Sequence, residues 1–438
     1  MADAGIDILA EKKALARKRA YETPLEVLNP AWASAFRDDA QWPYFERLRA
    51  EDPVHWTPDS NYGAFWSITK YHDIMEVDTN HQVFSSASGI GLPPKASVLP
   101  PEARAAGFGE EAASESPAPS FIGMDPPLHD IQRKTVSPAV APTRLAQMAP
   151  QIRERAGVIL DSLPIGEPFD WVDLVSKELT TMTLATLFDF PFVERRKITL
   201  WSDTMTTGPG HGPAATWAQR RQFLAECRAY FIRLWNERVN AEPAGDLISM
   251  LAHGEQTRGC TMDEYFANIT LLIIGGNDTT RNTISGSIYA LNRYREQYDR
   301  LRADPSLIPS MVSETIRWQT PLAHMARTAL SDFEFRGKTI RKGDRVVMWY
   351  VSGNRDEAAI ENPNAYIIDR PRPRQHLSFG YGIHRCVGNR LAELQLTIIW
   401  EEILKRFPDI VLLEEPRRSY SIFIKGYEEM KVVIPRRN

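Results

Sequence analysis

The sequence predicts one large fold that is mainly α with a small β portion, and three observations point to it. Apolar residues recur at three- and four-residue spacings over 151–163 and 216–240, as amphipathic helices require. A longer helical pattern opens at Thr261, where Thr-Met-Asp-Glu sets Glu264 three residues on as a capping box. Strand-like stretches are short and scattered, at 64–67, 333–335, 345–350 and 431–435. The 438 residues show no repeat and no long linker, so the expected division is an N-terminal extension, 1–24, and one domain, 25–438.

In chain order, residues 1–21 mix acidic and basic side chains without the apolar core of a secretory signal, and no run of about 18 apolar residues follows. The expectation is a cytoplasmic protein with no membrane anchor. Hydrophobic residues at 43% and charged residues at 25% describe a globular chain able to enclose a cofactor. A net charge of −4 argues against nucleic acid as a partner, because phosphate contacts demand a basic excess. Residues 85–120, which include Leu92-Pro93-Pro94, and the Gly-Pro-rich 208–213 read as irregular segments of the kind that cover a buried site. The helix from Thr261 is expected to reach about residue 295, roughly 50 Å at 1.5 Å per residue, as a spine through the fold.

Three cysteines occur, Cys227, Cys260 and Cys386, with no CxxC pair, so reduced thiols are expected. Cys227 and Cys260 read as small buried hydrophobes. Cys386 has a different setting: Phe379-Gly380-Tyr381-Gly382-Ile383-His384-Arg385-Cys386-Val387-Gly388, followed by a helical stretch from Asn389. The glycines let the backbone turn tightly and a flat ligand come close. Unpaired N–H groups at the coming helix start favour a thiolate. A metal-ligating sulfur and a nucleophile served by His384 both fit this spacing.

The segment resembles the cytochrome P450 superfamily, whose Phe-x-x-Gly-x-(Arg/His)-x-Cys-x-Gly pattern it meets at every fixed position. The resemblance implies a cytochrome P450 fold, with a long central helix over a buried haem. It implies heme b (iron protoporphyrin IX) as cofactor and Cys386 as its axial metal ligand. Gly275-Gly276-Asn277-Asp278-Thr279-Thr280 holds two glycines that each cost about 1 kcal/mol inside a helix. It is similar to the family's oxygen-activating helix, with Thr279 positioning oxygen and Asp278 delivering protons. Glu314 and Arg317 alone would be an i, i+3 surface pair; with Arg370 they resemble the family's Glu-Arg-Arg structural triad. His129 and Arg133, one helical turn apart, together with Arg327 and His384, match the donors to the haem propionates.

Closer likeness lies in Arg317-Trp318-Gln319-Thr320-Pro321-Leu322-Ala323-His324-Met325, Val347-Met348-Trp349-Tyr350 and the stretch from Arg370 to Gly380. These resemble the bacterial alkane and fatty-acid ω-hydroxylases of the superfamily. The implication is terminal oxidation of a medium-length chain in a narrow apolar channel that presents only the chain end. Positions that line the pocket of this fold are Ile90, Leu92, Val98 and Leu99, then Leu272 and Gly276, then Leu322, Ala323 and Met325, and finally Ile422 and Phe423. No flavin or iron–sulfur signature is present, so electrons are expected from a ferredoxin and its ferredoxin reductase, docking near Lys134, Arg385 and Arg390. The alternatives are a monooxygenase of another apolar substrate (terpene or steroid), a peroxide-driven or isomerising haem enzyme, and a non-catalytic haem-binding sensor. The Asp278-Thr279 pair argues against the peroxide-driven reading.

Overall fold

The computed structural model describes residues 2–105 and 119–438, so 106–118 of the irregular segment lie outside the described residues. The helices that matter for the site are α1 (Ala2–Glu22), α2 (Trp42–Glu51), α3 (Tyr71–Thr79), α4 (Leu128–Val136), α5 (Pro142–Asp161), α6 (Glu178–Leu187), α7 (Arg196–Thr206), α8 (Trp217–Val239), α9 (Met262–Arg293), α10 (Ile308–Gln319) and α11 (Asn389–Arg406). The largest sheet is built from β1 (Val54–Thr57), β2 (Phe65–Ile68), β3 (Phe84–Ser85), β4 (Met325–Ala329) and β5 (Arg345–Met348), in the order β1-β2-β5-β4-β3. β2 and β5 run parallel, with Trp66 beside Val346, and the other pairs are antiparallel. No helix among the described residues is long and apolar enough to cross a membrane.

The predicted spine is α9. The Thr261 hydroxyl accepts from the Glu264 N–H at 3.2 Å, and the Glu264 carboxylate accepts from the Thr261 N–H at 2.7 Å, closing the capping box. Thirty-two residues carry it about 48 Å. Across 277–291 every residue except Thr279 is buried, so the helix passes through the interior instead of lying on it. Its buried polar side chains find partners on neighbouring elements: Ser285 with Ser176 at 2.8 Å, Ser287 with the Trp400 indole at 2.9 Å, and Asn282 with the Tyr427 N–H at 2.9 Å.

The N-terminal extension is a docked helix. α1 presses Ala16 and Ala20 against Leu28, Tyr44 and Leu48, and Lys12, Lys13 and Arg17 pair with Asp38, Asp39 and Glu46 at 2.9–3.0 Å. Its start lacks an apolar stripe, which is why periodicity did not announce it.

α10 ends at Thr320, in the left-handed region at φ 43°, immediately before Pro321. It delivers Glu314 and Arg317 to the interior, both without solvent contact. Arg317 grips the Glu314 carboxylate with two bonds of 2.7 Å, and Arg370 adds bonds of 3.0 and 3.3 Å. The remaining guanidinium donors go to the carbonyls of Asn354, Pro363 and Ala365. One carboxylate therefore organises two cations and the long meander that precedes Cys386. Glu314→Ala strands both arginines and is expected to cost about 3–5 kcal/mol; a denaturant midpoint equal to the parent's would refute the lock.

Candidate functional site

The Cys386 loop is shaped by what it leans on. Gly380 and Gly382 hold φ of 67° and 69°, and a side chain on Gly382 would collide with the backbone carbonyl of Asp78. The Asp78 carboxylate accepts from the Tyr381 N–H at 2.8 Å, the Tyr350 hydroxyl at 3.0 Å and the Arg327 guanidinium at 2.7 Å. The Cys386 N–H donates to the Phe379 carbonyl at 2.8 Å, and α11 begins three residues later. Cys386 is accessible, and nothing lies within 4 Å of where a side chain on Gly388 would start. Although one side of it is open, the protein packed around the loop on its other sides partly desolvates the thiol and raises it above the ordinary cysteine value, while the Gly388 N–H and the Arg133 and Arg385 guanidiniums pull the other way. Cys227 is buried and Cys260 half-buried; burial raises both thiols, that of Cys260 to about 11, as inert cysteines require.

Beside this loop the structure brings His129, Arg133, Arg327 and His384 together. The His129 and His384 rings meet edge to face at 4.4 Å, and Arg133 donates to the Arg385 carbonyl. Burial, then the charges of Arg327, His129, Arg133 and His81, push the His384 imidazole down to about 2. The carboxylates bonded to these donors are Asp78, on Arg327, and Asp130, on His129 at 2.8 Å. His129 Nε2, both ring nitrogens of His384 and His81 Nδ1 are buried without a partner. Buried ring nitrogens without partners, set beside two guanidiniums, leave hydrogen-bonding capacity that an added anion would use, and the two propionates of a haem fit that demand. No group of three or more His, Cys, Asp or Glu side chains among the described residues could hold a metal ion, so a metal on Cys386 needs ligands brought by the cofactor itself, as a porphyrin brings them. The residues present therefore fit the haem. Sequence reasoning missed His81 and Asp78, which belong to no motif.

On α9, neighbouring residues face different ways because each step turns about 100°. Thr279 is half-exposed and donates to the Gly275 carbonyl at 2.9 Å, and Gly275 borders open space. Asp278 is fully buried and turned toward α7: it accepts from the Ser202 hydroxyl at 2.7 Å and pairs with Arg281 at 2.5 Å. Arg281 also pairs with Asp203, which holds Lys177 at 3.1 Å. Burial raises the Asp278 carboxyl against the opposing pull of Arg281, and the Asp203 charge raises it further. Gly276, expected to line the pocket, instead packs α9 on α6: a side chain there would meet Leu184 at 2.6 Å. The glycine bordering open space is Gly275, one residue earlier.

The other apolar candidates divide by burial. Residues 321–325 and 422–425 run side by side, through the Leu322–Ile424 bridge and the Ala323 N–H on the Phe423 carbonyl at 2.8 Å. Leu322, Met325 and Phe423 are half-buried, whereas Ala323 and Ile422 are buried with Leu92, Phe65 and Trp349 as core. Ile90 is half-buried, its carbonyl accepting from the Ala326 N–H at 2.7 Å. Leu272 and Leu99 are half-buried, and Val98 is 47% exposed. The 208–213 segment rests on the C-terminal hairpin, in which Arg417–Arg418 pairs with Tyr427–Glu429, with His211 stacked on Tyr420 at 4.6 Å. Lys134, Arg385 and Arg390 are exposed.

Comparison with known proteins agrees with this geometry. The cytochrome P450 family profile matches residues 214–420. The chain is 35% identical to linalool 8-monooxygenase of Pseudomonas putida, over 89% of this chain and 94% of that protein. It is 32% identical to the methyl-branched lipid omega-hydroxylase of Mycobacterium tuberculosis, over 91% of this chain and 92% of the relative. Its fold is similar to cytochrome P450-153 from Novosphingobium aromaticivorans, with a TM-score of 0.83, 42% identity, and 93% and 99% of the two chains covered. Cys386→Ser, purified with ample porphyrin, is expected to lose the red-shifted Soret band that a thiolate gives the CO complex; an unchanged band would mean that another side chain binds iron.

Proposed function

The chain belongs to the cytochrome P450 family, and on that premise we propose that it hydroxylates the terminal carbon of medium-length alkanes or fatty acids, with electrons from a ferredoxin served by its reductase. It is a haem monooxygenase whose cofactor is heme b. When bound, that cofactor supplies the iron at which O₂, two electrons and two protons become one inserted oxygen atom and one water.

The remaining work falls to side chains. Cys386 would hold the metal, and His129, Arg133, Arg327 and His384 would take the propionates. The Thr279 hydroxyl, on the open side of α9, positions oxygen and passes the last proton. Asp278, behind it, would supply that proton, and the ion pairs it belongs to, with Arg281, Asp203 and Lys177, extend to partly exposed groups. A carboxylate pinned by Arg281 must swing or exchange partners to do this, and the raised value of its carboxyl favours carrying a proton.

The observation that carries the substrate reading is the half-buried apolar group of Leu322, Met325 and Phe423 on two paired segments. Each buried methylene contributes about 0.8 kcal/mol, so a chain binds such a wall without a polar anchor. A methyl C–H is stronger than a methylene C–H, so the enzyme must select the end by confinement. The mycobacterial relative's name places its own oxidation at the omega carbon, which supports this reading. A terpene is the second reading, because the Pseudomonas relative is named for linalool.

Octane and dodecanoate, turned over with a surrogate ferredoxin system, are expected to give mainly terminal alcohols. Mainly subterminal products, or a spin-state titration in which linalool outbinds every chain, would defeat the chain-end reading, and binding without product would leave a sensor. Thr279→Ala is expected to consume reductant while releasing peroxide; coupling equal to the parent's would remove the assigned role. Reduction by the ferredoxin should slow as salt rises, and alanine at Lys134, Arg385 or Arg390 should flatten that dependence. A salt response identical in all three variants would place docking elsewhere.

A further inference from the structure

A cavity of about 300 Å³ shares no lining residue with the haem site and lies where α1, α2, the end of α9, the end of α10 and the C-terminal hairpin meet. Of four buried cations in its lining, Arg49 and Arg418 are paired with Glu357 and Glu415 at 2.9 and 2.6 Å, and two are not: Arg355 at 5% and Lys425 at 7% exposure. Both sit over the same two indoles: the Arg355 guanidinium is 4.7 Å from Trp42 and 5.3 Å from Trp318, and the Lys425 ammonium is 5.5 and 5.8 Å from them. Their hydrogen bonds go to neutral acceptors. Arg355 donates to the carbonyls of Pro363 at 2.8 Å and Trp318 at 3.0 Å, and Lys425 to the carbonyl of Gln319 at 2.9 Å.

Among the described residues no carboxylate lies within ion-pair distance of Arg355, Lys425 or Arg293, which stands exposed at the rim. The anion whose field reaches both Arg355 and Lys425 is Asp39, and its two oxygens already accept from Lys13 and from the Trp42 indole, each at 2.9 Å. Burial, with Arg355 and Arg418 acting the same way against Asp39, lowers Lys425 to about 7, and burial with Arg317 lowers Arg355 to about 9. Cation–π contacts and carbonyls offset part of the desolvation but leave the positive potential standing. A charged acceptor placed between these groups would form charge-assisted bonds that water cannot match.

We propose that this cleft binds a small anion carrying a planar ring, an aryl carboxylate or a nucleotide monophosphate. Its acid group meets Lys425, Arg355 and Arg293, and its ring lies against Trp42 and Tyr294, the half-buried aromatic rims of the opening. The site is independent of what the haem pocket oxidises.

Equilibrium dialysis of the haem-loaded protein at low salt, with 2-naphthoate, adenosine 5′-monophosphate, inorganic phosphate and adenosine, tests it. The expected result is saturable binding of one or both ring-bearing anions, about tenfold tighter than phosphate or adenosine. The naphthoate and nucleotide arms tell the two sources apart. Arg293→Glu, a rim change that leaves the interior intact, should weaken binding about tenfold with an unaltered haem spectrum, and Lys425→Met should do the same. Absence of saturable binding by both ring-bearing anions, phosphate binding as tightly as they do, or an unchanged affinity in Arg293→Glu would overturn the proposal.

Discussion

Glu314 sits out of solvent between two guanidiniums, and the shape of the region under the cofactor follows from where it holds them. The Arg317 donors left over from that grip fix the carbonyls of Asn354, Pro363 and Ala365. Asn354 in turn bonds Thr320 and Ser378 at 2.9 Å and accepts from the Leu377 N–H at 2.7 Å, and the Ser378 hydroxyl returns to the Ile316 carbonyl. Position is thus handed from α10 to the chain that becomes the Cys386 loop through buried, satisfied bonds. Such a network tolerates little loss, because every partner removed leaves a polar group stranded in low dielectric.

α9 shows how one helix serves two environments within a single turn. Gly276 lets α6 approach, Gly275, about 100° round the helix, borders open space, Thr279 lies one turn on from it, and Asp278 is pulled toward α7 by Ser202 and Arg281. The arrangement keeps a charged group off the open side of the helix while leaving it one residue away along the chain. The cost is a buried ion network, tolerable because Asp203 and Lys177 extend it to partly exposed positions.

Much of this was legible because it is local. The capping box at Thr261, the Glu314–Arg317 spacing, the glycines around Cys386 and the His129–Arg133 turn are each written within a few residues. What escaped is relational. Asp78, His81, Ser202 and Asp203 matter only for what folding sets beside them, and no spacing marks them. Gly276 and Gly275 show the limit at finest grain: the motif was visible, but a rotation of about 100° decides which glycine packs and which opens, and only the positions of neighbouring helices fix it. Ala323 and Ile422 fell the same way, as core residues adjacent to half-exposed partners. The N-terminal helix escaped for another reason: its contacts are two alanines packed on α2 and Leu28 and ion pairs to α2 and the preceding turn, which leave no apolar stripe in the sequence.

Asp78 ties the backbone of the sulfur loop to Arg327 through a single carboxylate buried from solvent. A prosthetic group taking up the unpartnered ring nitrogens beside that arginine would bind the native fold and not the unfolded chain. Binding would then add to the stability of the fold itself, so porphyrin supply during synthesis should raise how much chain survives as native protein.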